Sequence, residues 1–406
     1  MKIVHINHAD NIGGAAIAAY RLSIAMCRAG VDSKMLVYRN LRENDPMVVG
    51  LLSSRLSLFF HQVRIRLLTL FIKYYFKPFG TFSIPYSGMS IHNHPLVKSA
   101  DVIILHWVSS GMMTMKELER ILSLGKPVFW MMHDSYPYTG GCHFFWECDR
   151  YTKGCEDCLL IGRNCGRGIA HKEFLNKAGV FRYKNLRFIG PSQWEVDCAK
   201  RSSLLKGKTV DVCRNVIDTE LFRRKNVEDL KSKIGLDAHK NTILFSAVSV
   251  KDVYKGLHFL LEAINMLPPE KYQCVILGAD SSDLSLEMKT FCLGYIRDEQ
   301  QMSEIYNLAD VFVLPSLAES FSLVIAEAMA CGVPCVGFNC TAIPGLISHK
   351  KNGYLAKYKS SESLAEGVRW ICEESDYRSL SDESVSFIEE NCSFHKVREI
   401  YKVILA

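Results

Sequence analysis

The chain has 406 residues, 48% hydrophobic and 23% charged, with a formal net charge of +6. That length holds two full hydrophobic cores, and that balance excludes a disordered or fibrous chain. The mild positive charge suits anionic small molecules or an anionic membrane surface and does not require nucleic acid.

Met1-Lys-Ile-Val-His-Ile-Asn predicts a first strand, Ile3–Ile6, rather than a signal peptide. No apolar run is long and uncharged enough to span a bilayer. The loop from Asn7 ends in Gly13-Gly14 and leads into a helix over about Ala15 to Ala29. Strand, glycine loop and helix in that order suit a phosphate at the helix amino end, although glycine also serves any tight turn. Leu56 to Phe76 is an apolar helix whose Gln62, Arg66, Thr69 and Lys73 form one polar stripe. It reads first as a well-buried helix of the first domain. The other reading is an interfacial helix on an anionic leaflet, which would bring the protein to a lipid-linked acceptor. Strands at Met35–Tyr38, Val102–His106, Val128–Met132 and Phe188–Ile189 alternate with helical segments, which predicts a parallel sheet covered on both faces. His133-Asp134 ends one of them at the carboxyl edge, where such sheets bind ligands. A histidine there also fits a plain strand-end turn.

Cys142, Cys148 and the pair Cys155-Glu-Asp-Cys158 stand in a long loop of little regular pattern. Four thiols with one tight pair predict a tetrahedral structural zinc, which would order the loop and leave no open position for catalysis. Free thiols and a disulfide are the alternatives. Most of the fifteen cysteines, such as Cys274, Cys331 and Cys335, lie in apolar segments and read as buried thiols in a reducing cytosol.

The second half repeats the scheme, with strands at Ile243–Val248, Cys274–Leu277, Val311–Leu314 and Pro334–Phe338 and helices from Gly256, Glu299 and Ser320. The link between halves lies within Pro191 to Phe222. Lys255-Gly256 opens a helix, where a lysine can pair with a diphosphate as charge builds on it. The segment Pro315-Ser-Leu-Ala-Glu319-Ser-Phe-Ser-Leu-Val-Ile-Ala-Glu327 places one glutamate at the mouth of a helix and a second inside it. Ser320 stands as the expected cap. The first-turn amides then face a strand's carboxyl end, which suits a diphosphate, while carboxylates accept from sugar and ribose hydroxyls. Phosphate and polyol at one site imply a nucleotide sugar.

With Ala-Cys-Gly332-Val-Pro334 following, this block resembles the glutamate-seven-residues-glutamate signature of retaining GT-B glycosyltransferases of family four, closely from about Asn241 to Ala356. The His-Asp and Thr-Gly-Gly-Cys elements resemble bacterial members with a cysteine-rich loop. The resemblance implies two Rossmann-like domains facing across a cleft: 1–192, with the cysteine-rich loop at 135–168 and completed by a returning helix at 392–406, and 193–391. It implies that Glu319 contacts the transferred sugar, Glu327 the ribose, and the amides of Phe321, Ser322 and Leu323 the phosphate. Lys255 becomes the phosphate lysine, His133 a donor-sugar contact, Gly13 and Gly14 a loop near donor phosphate and acceptor, and Gly294-Tyr295 a neighbour of the base. Where the family carries an arginine, this chain has Lys251, which lacks the bidentate fork. Thr341-Ala342-Ile343-Pro344-Gly345 replaces Gly-Gly-Ile-Pro-Glu, and Thr-Ala adopts positive φ at greater cost. The implied partners are a nucleoside-diphosphate sugar and a glycan or lipid-linked acceptor in surface polysaccharide synthesis, in the cytoplasm at the inner membrane face. No cofactor for catalysis and no nucleic acid are expected. The rivals are an epimerase or phosphorylase, a scaffold that binds nucleotide sugars without transfer, and a zinc-dependent nucleic-acid binder. Glu147, Asp149, Glu156 and Asp157 in the cysteine loop argue against the last.

Overall fold

Two parallel sheets organise the chain, as alternating strands and helices require. The computed structural model describes residues 1–42, 44–52, 55–76, 80–161, 167–249, 252–279 and 287–405. One compact unit comprises Met1–Cys213 with Val397–Ala406, and the other Arg214–Lys396.

The first unit holds β1 (Lys2–Ala9), β2 (Asp32–Arg39), β3 (Val48–Gly50), β4 (Val102–Leu105), β5 (Val128–Met131), β6 (Leu186–Gly190) and β7 (Val210–Val212). Their order is β3-β2-β1-β4-β5-β6-β7. Between them run α1 (Gly14–Arg28), α2 (Arg55–Phe76), α3 (Pro95–Ser99), α4 (Met115–Leu122), α5 (Arg167–Phe181) and α6 (Gln193–Arg201). β4 and β5 are buried along their whole length, as strands covered on both faces must be. The strand order reverses between β1 and β4, so their carboxyl ends open a crevice.

The second unit holds β8 (Asn241–Ser249), β9 (Tyr272–Ala279), β10 (Thr290–Gly294), β11 (Val311–Leu314), β12 (Cys335–Phe338) and β13 (Gly353–Ala356). Their order is β10-β9-β8-β11-β12-β13, with the reversal between β8 and β11. Its helices are α7 (Glu228–Ile234), α8 (Leu257–Ile264), α9 (Glu299–Tyr306), α10 (Leu323–Ala330), α11 (Ser361–Arg369) and α12 (Tyr377–Cys392). The last helix, α13 (Val397–Leu405), lies against α1 in the first unit.

The division falls at Cys213, not at the expected 192. β7 pairs in register with β6, Phe188 opposite Val210, and carries 193–213 into the first sheet. A three-residue strand has too short a pattern to be read from sequence.

The buried-helix reading of α2 fails. Leu58, His61, Ile65, Leu68 and Ile72, spaced three and four apart, turn inward. Phe59, Phe60, Leu67, Leu70, Phe71 and Tyr74 are exposed. A helix lying on a unit buries one stripe, and the apolar residues of α2 extend well beyond that stripe. Among the described residues no helix is long and apolar enough to cross a membrane.

Candidate active site

In the second unit the two strands at the reversal deliver the two expected reactive side chains. Lys255 follows β8 and Glu319 follows β11. Their side chains meet: Lys255 Nζ donates to Glu319 Oε1 at 2.7 Å, both largely shielded from solvent. Gly256 makes the approach possible. It sits at φ 67°, and a Cβ there would lie 2.0 Å from the Pro315 carbonyl oxygen. The Leu317 N–H donates to the Tyr254 carbonyl at 2.8 Å and ties the two loops together. The segment following β12 braces Glu319: its N–H donates to Thr341 Oγ1 at 3.1 Å, and Ala342 N–H donates to its carbonyl at 3.2 Å.

The amino end of α10 differs from the expectation. Ser320 is not the cap. The helix begins at Leu323, and Ser322 caps it in the left-handed region at φ 79° without a side-chain bond to the helix. Two residues of non-helical backbone intervene because Phe321 turns into the core. The Ser322 hydroxyl is buried with no hydrogen-bond partner. A serine hydroxyl and first-turn N–H groups at one helix end suit an anion. Glu327 sits one turn further along α10, buried, and accepts from Tyr306 Oη at 2.8 Å. Tyr295 follows Gly294 (φ 70°) at the end of β10 with its side chain exposed. Lys251 lies outside the described residues.

In the first unit Gly13 caps α1 at φ 83°, with open space where a side chain would stand and no side-chain bond to the first turn. Gly14 begins the helix. His133 follows β5, and its Nε2 lies 2.8 Å from His106 Nδ1. Burial drives His133 down to about 4, so it is neutral at pH 7. Burial pushes the neighbouring Asp134 carboxyl up, but bonds from His143, Tyr136 N–H and Trp107 outweigh it and hold Asp134 below its ordinary value.

Residues 226–384 match the family model described as Glycosyl transferases group 1. This segment is similar to a group 1 glycosyltransferase domain. Solved structures extend the likeness in fold to the whole chain. HepE of Anabaena, solved in complex with UDP-glucose, aligns over 100% of this chain and 99% of its own at 15% identity, with a TM-score of 0.66. The chain therefore has the GT-B fold. Among relatives, it is 25% identical over 239 residues to N-acetyl-alpha-D-glucosaminyl L-malate synthase of Bacillus anthracis, covering 54% of this chain and 61% of the relative. It is 26% identical over 217 residues to UDP-Gal:alpha-D-GlcNAc-diphosphoundecaprenol alpha-1,3-galactosyltransferase of Escherichia coli, covering 48% of this chain and 52% of the relative. The chain thus spans between half and two thirds of the length of these relatives.

The matched segment contains Lys255, Glu319, Ser320, Phe321, Ser322, Leu323, Glu327 and Tyr295, whereas Cys142, Cys148, Cys155 and Cys158 belong to the first unit. Cys142, Cys155 and Cys158 are buried, and burial pushes all three thiols up, Cys155 to about 12. With Cys148 they are near enough to influence one another electrostatically. Yet among the described residues no group of three or more His, Cys, Asp or Glu is arranged to hold a metal ion. The zinc expectation is corrected accordingly. Packing supplies the order that a metal was expected to give. Tyr138 and Tyr151 are buried with rings 5.6 Å apart, and Phe145 stacks on Trp194. The buried Lys177 ammonium donates to the carbonyls of Tyr136 and Thr139 and lies 3.6 Å from the Tyr136 ring centre.

Sequence reasoning missed Thr341 as a brace, Tyr306 as the partner of Glu327, and His5, which reaches His106. Only His5 carried a signal, as a polar residue between Val4 and Ile6 on a buried strand.

Proposed function

We propose that the chain is a retaining glycosyltransferase that moves a hexosyl group from a nucleoside-diphosphate sugar to a glycan or lipid-linked acceptor in surface polysaccharide synthesis. One observation carries this reading: the Lys255–Glu319 pair stands beside the amino end of α10 at a strand-order reversal. The site holds a cation, an acid and an anion-binding helix end, which are the complements of a diphosphate joined to a polyol. When a donor enters, Lys255 turns from Glu319 to the diphosphate, and Glu319 is released to accept from sugar hydroxyls. The sugar's bond from C1 to the diphosphate oxygen breaks. The acceptor hydroxyl oxygen bonds to C1 from the face the diphosphate leaves, and its proton passes to the departing phosphate oxygen. Lys255, the amides of Phe321 to Leu323 and the Ser322 hydroxyl stabilise the charge that builds there.

Glu327, held by Tyr306, anchors the ribose, and Tyr295 flanks the base. Ser320, Gly13, Gly14 and Lys251 serve the donor, and His133 serves the transferred sugar. Resemblance to the family supports these roles and retention itself. The name of the Escherichia coli relative, a galactosyltransferase acting on a diphosphoundecaprenol-linked sugar, together with the glycosyltransferase WaaG, described as involved in lipopolysaccharide biosynthesis, supports the pathway class.

The exposed face of α2 supports a place at the inner face of an anionic membrane, where a lipid-linked acceptor would lie. The helix carries Arg55, Arg64, Arg66 and Lys73 and no acidic residue. Exposed phenylalanine, leucine and tyrosine with basic residues among them match a leaflet of anionic lipid.

Screening nucleotide sugars for a rise in melting temperature identifies the donor, and turnover with candidate acceptors follows. Glu319→Gln is expected to lower turnover by about a hundredfold, the scale of one charged group acting on the reacting centre. Unchanged turnover would remove Glu319 from the site. A donor that binds and stays intact with every acceptor would favour the scaffold reading.

A further inference from the structure

Two neighbouring rings of the first unit each hold a buried polar atom without a hydrogen bond: Tyr38 Oη on β2 and His61 Nε2 on α2. Tyr38 is 3% exposed and His61 8%, and their rings stand edge to face, 4.7 Å apart. His8, near the carboxyl end of β1, sits beside the Tyr38 ring at 5.1 Å. Trp107, which follows β4, meets His8 edge-on at 5.4 Å. These rings therefore stand at the strand-order reversal of the first sheet, and all four belong to the first unit.

Arg64 Nη2 donates to His61 Nδ1 at 2.8 Å, since a guanidinium cannot accept. Burial and the Arg64 charge hold His61 below its ordinary value, so the ring is neutral at pH 7. Its single proton is then on Nε2, a buried N–H donor. The nearby Gly111 carbonyl acts on the ring without closing a hydrogen bond to that N–H. The Tyr38 hydroxyl is a second unmet donor. Two exposed cations overlook the pair: the charge of Arg39, the last residue of β2, acts on Tyr38 and His8, and that of Arg64 acts on Tyr38 and His61. Buried donors without acceptors are rare, and each one calls for a partner. Water can accept from them, but only an anion also gains from two guanidiniums.

We propose that Tyr38, His61, Arg39 and Arg64 form a phosphate site within the first unit, which holds the phosphate group of a lipid-linked acceptor. The Arg64 bond to the Gly88 carbonyl is long at 3.3 Å, so its exposed guanidinium can turn to an arriving phosphate and open the way to the two donors. The source of the phosphate follows from α2. The helix that supplies His61 and Arg64 also exposes Phe59, Phe60 and Leu67, an apolar face that suits a phosphate carried on a lipid. The phosphate site stands on the first unit's geometry, and its assignment to the acceptor rests on the function proposed above.

Proton–nitrogen NMR of the full chain, with nitrogen-15 in histidine, can follow the His61 ring during titration with inorganic phosphate, pyrophosphate and a short isoprenoid diphosphate in detergent micelles. The isoprenoid diphosphate is expected to shift the His61 Nε2 signal at the lowest concentration and beyond any effect of micelles alone. Tyr38→Phe deletes one hydroxyl and should weaken that binding about fivefold, and Arg64→Gln, which removes a charged donor, by at least about tenfold. A His61 signal that none of the three ligands moves overturns the site, whether or not the variants fold. Tyr38→Phe binding as tightly as wild type does the same. Inorganic phosphate or pyrophosphate acting on His61 as strongly as the isoprenoid diphosphate overturns the lipid assignment. If no nucleotide sugar raises the melting temperature while the isoprenoid diphosphate shifts His61, the proposed reaction falls and the phosphate site stands.

Discussion

Thr341 occupies the left-handed region at φ 49°, where a β-branched residue is strained. The sequence reads Thr-Ala as adopting positive φ at greater cost than the glycines it replaces. The backbone turn survives because the threonine hydroxyl gains the Glu319 N–H. Two effects of similar size, each about 1 kcal/mol, oppose one another here. Thr341→Gly relieves the strain and loses the bond, so its stability should stay within about 0.5 kcal/mol of wild type by denaturant unfolding. Thr341→Val keeps the strain and loses the bond, and should cost about 1 kcal/mol more. Equal stability of the two variants would remove the strain, and a valine variant as stable as wild type would remove the brace. Glu195 offers a second test. It is fully buried beside Tyr138, whose hydroxyl donates to Ser135, and burial raises its carboxyl to about 8. The native state therefore keeps a proton that the unfolded chain loses above about 4.5, and stability falls as pH rises from there to about 8. Glu195→Gln should raise the melting temperature at pH 8 and change it little at pH 4. A gain that does not depend on pH would contradict that account.

At the scale of elements, α2 and the cysteine loop both departed from their first readings, for opposite reasons. α2 looked like core because its residues are apolar, but periodicity alone cannot say how many neighbours will cover a helix. Replacing Phe59, Leu67 and Tyr74 by serine should abolish binding to vesicles containing phosphatidylglycerol and leave the thermal transition unchanged, since all three are exposed. Replacing Arg64, Arg66 and Lys73 by glutamine should weaken binding at least tenfold at low salt, at about 1 kcal/mol per charge. Wild-type protein that ignores such vesicles would rule out the membrane role. The cysteine loop looked underpacked because it lacks regular pattern. Its tyrosines and Lys177 come from positions whose burial depends on α5 and α6 beside them.

At the scale of the whole molecule, each unit has its own hydrophobic core. A donor binding to the second unit stabilises the native state by mass action, about 2.7 kcal/mol at a hundred times its Kd. Calorimetry should then show the transition of the second unit rising by several degrees. If the donor raised only the transition of the first unit, the site at Lys255 and Glu319 would be in the wrong place. Much of this arrangement was legible in the chain. Alternating apolar strands and amphipathic helices specify a parallel sheet locally, and the block from Pro315 to Pro334 places two acids around a helix entry within a few residues. Such features depend on neighbours in sequence, so the order of residues determined them. The Lys255–Glu319 bond, the strained turn at Thr341, the bare face of α2, the strand that moves the division to Cys213 and the line of three imidazoles join residues tens to a hundred positions apart, or depend on which surfaces stay uncovered. Those contacts exist only once the sheets have closed, and so only the tertiary structure decided them.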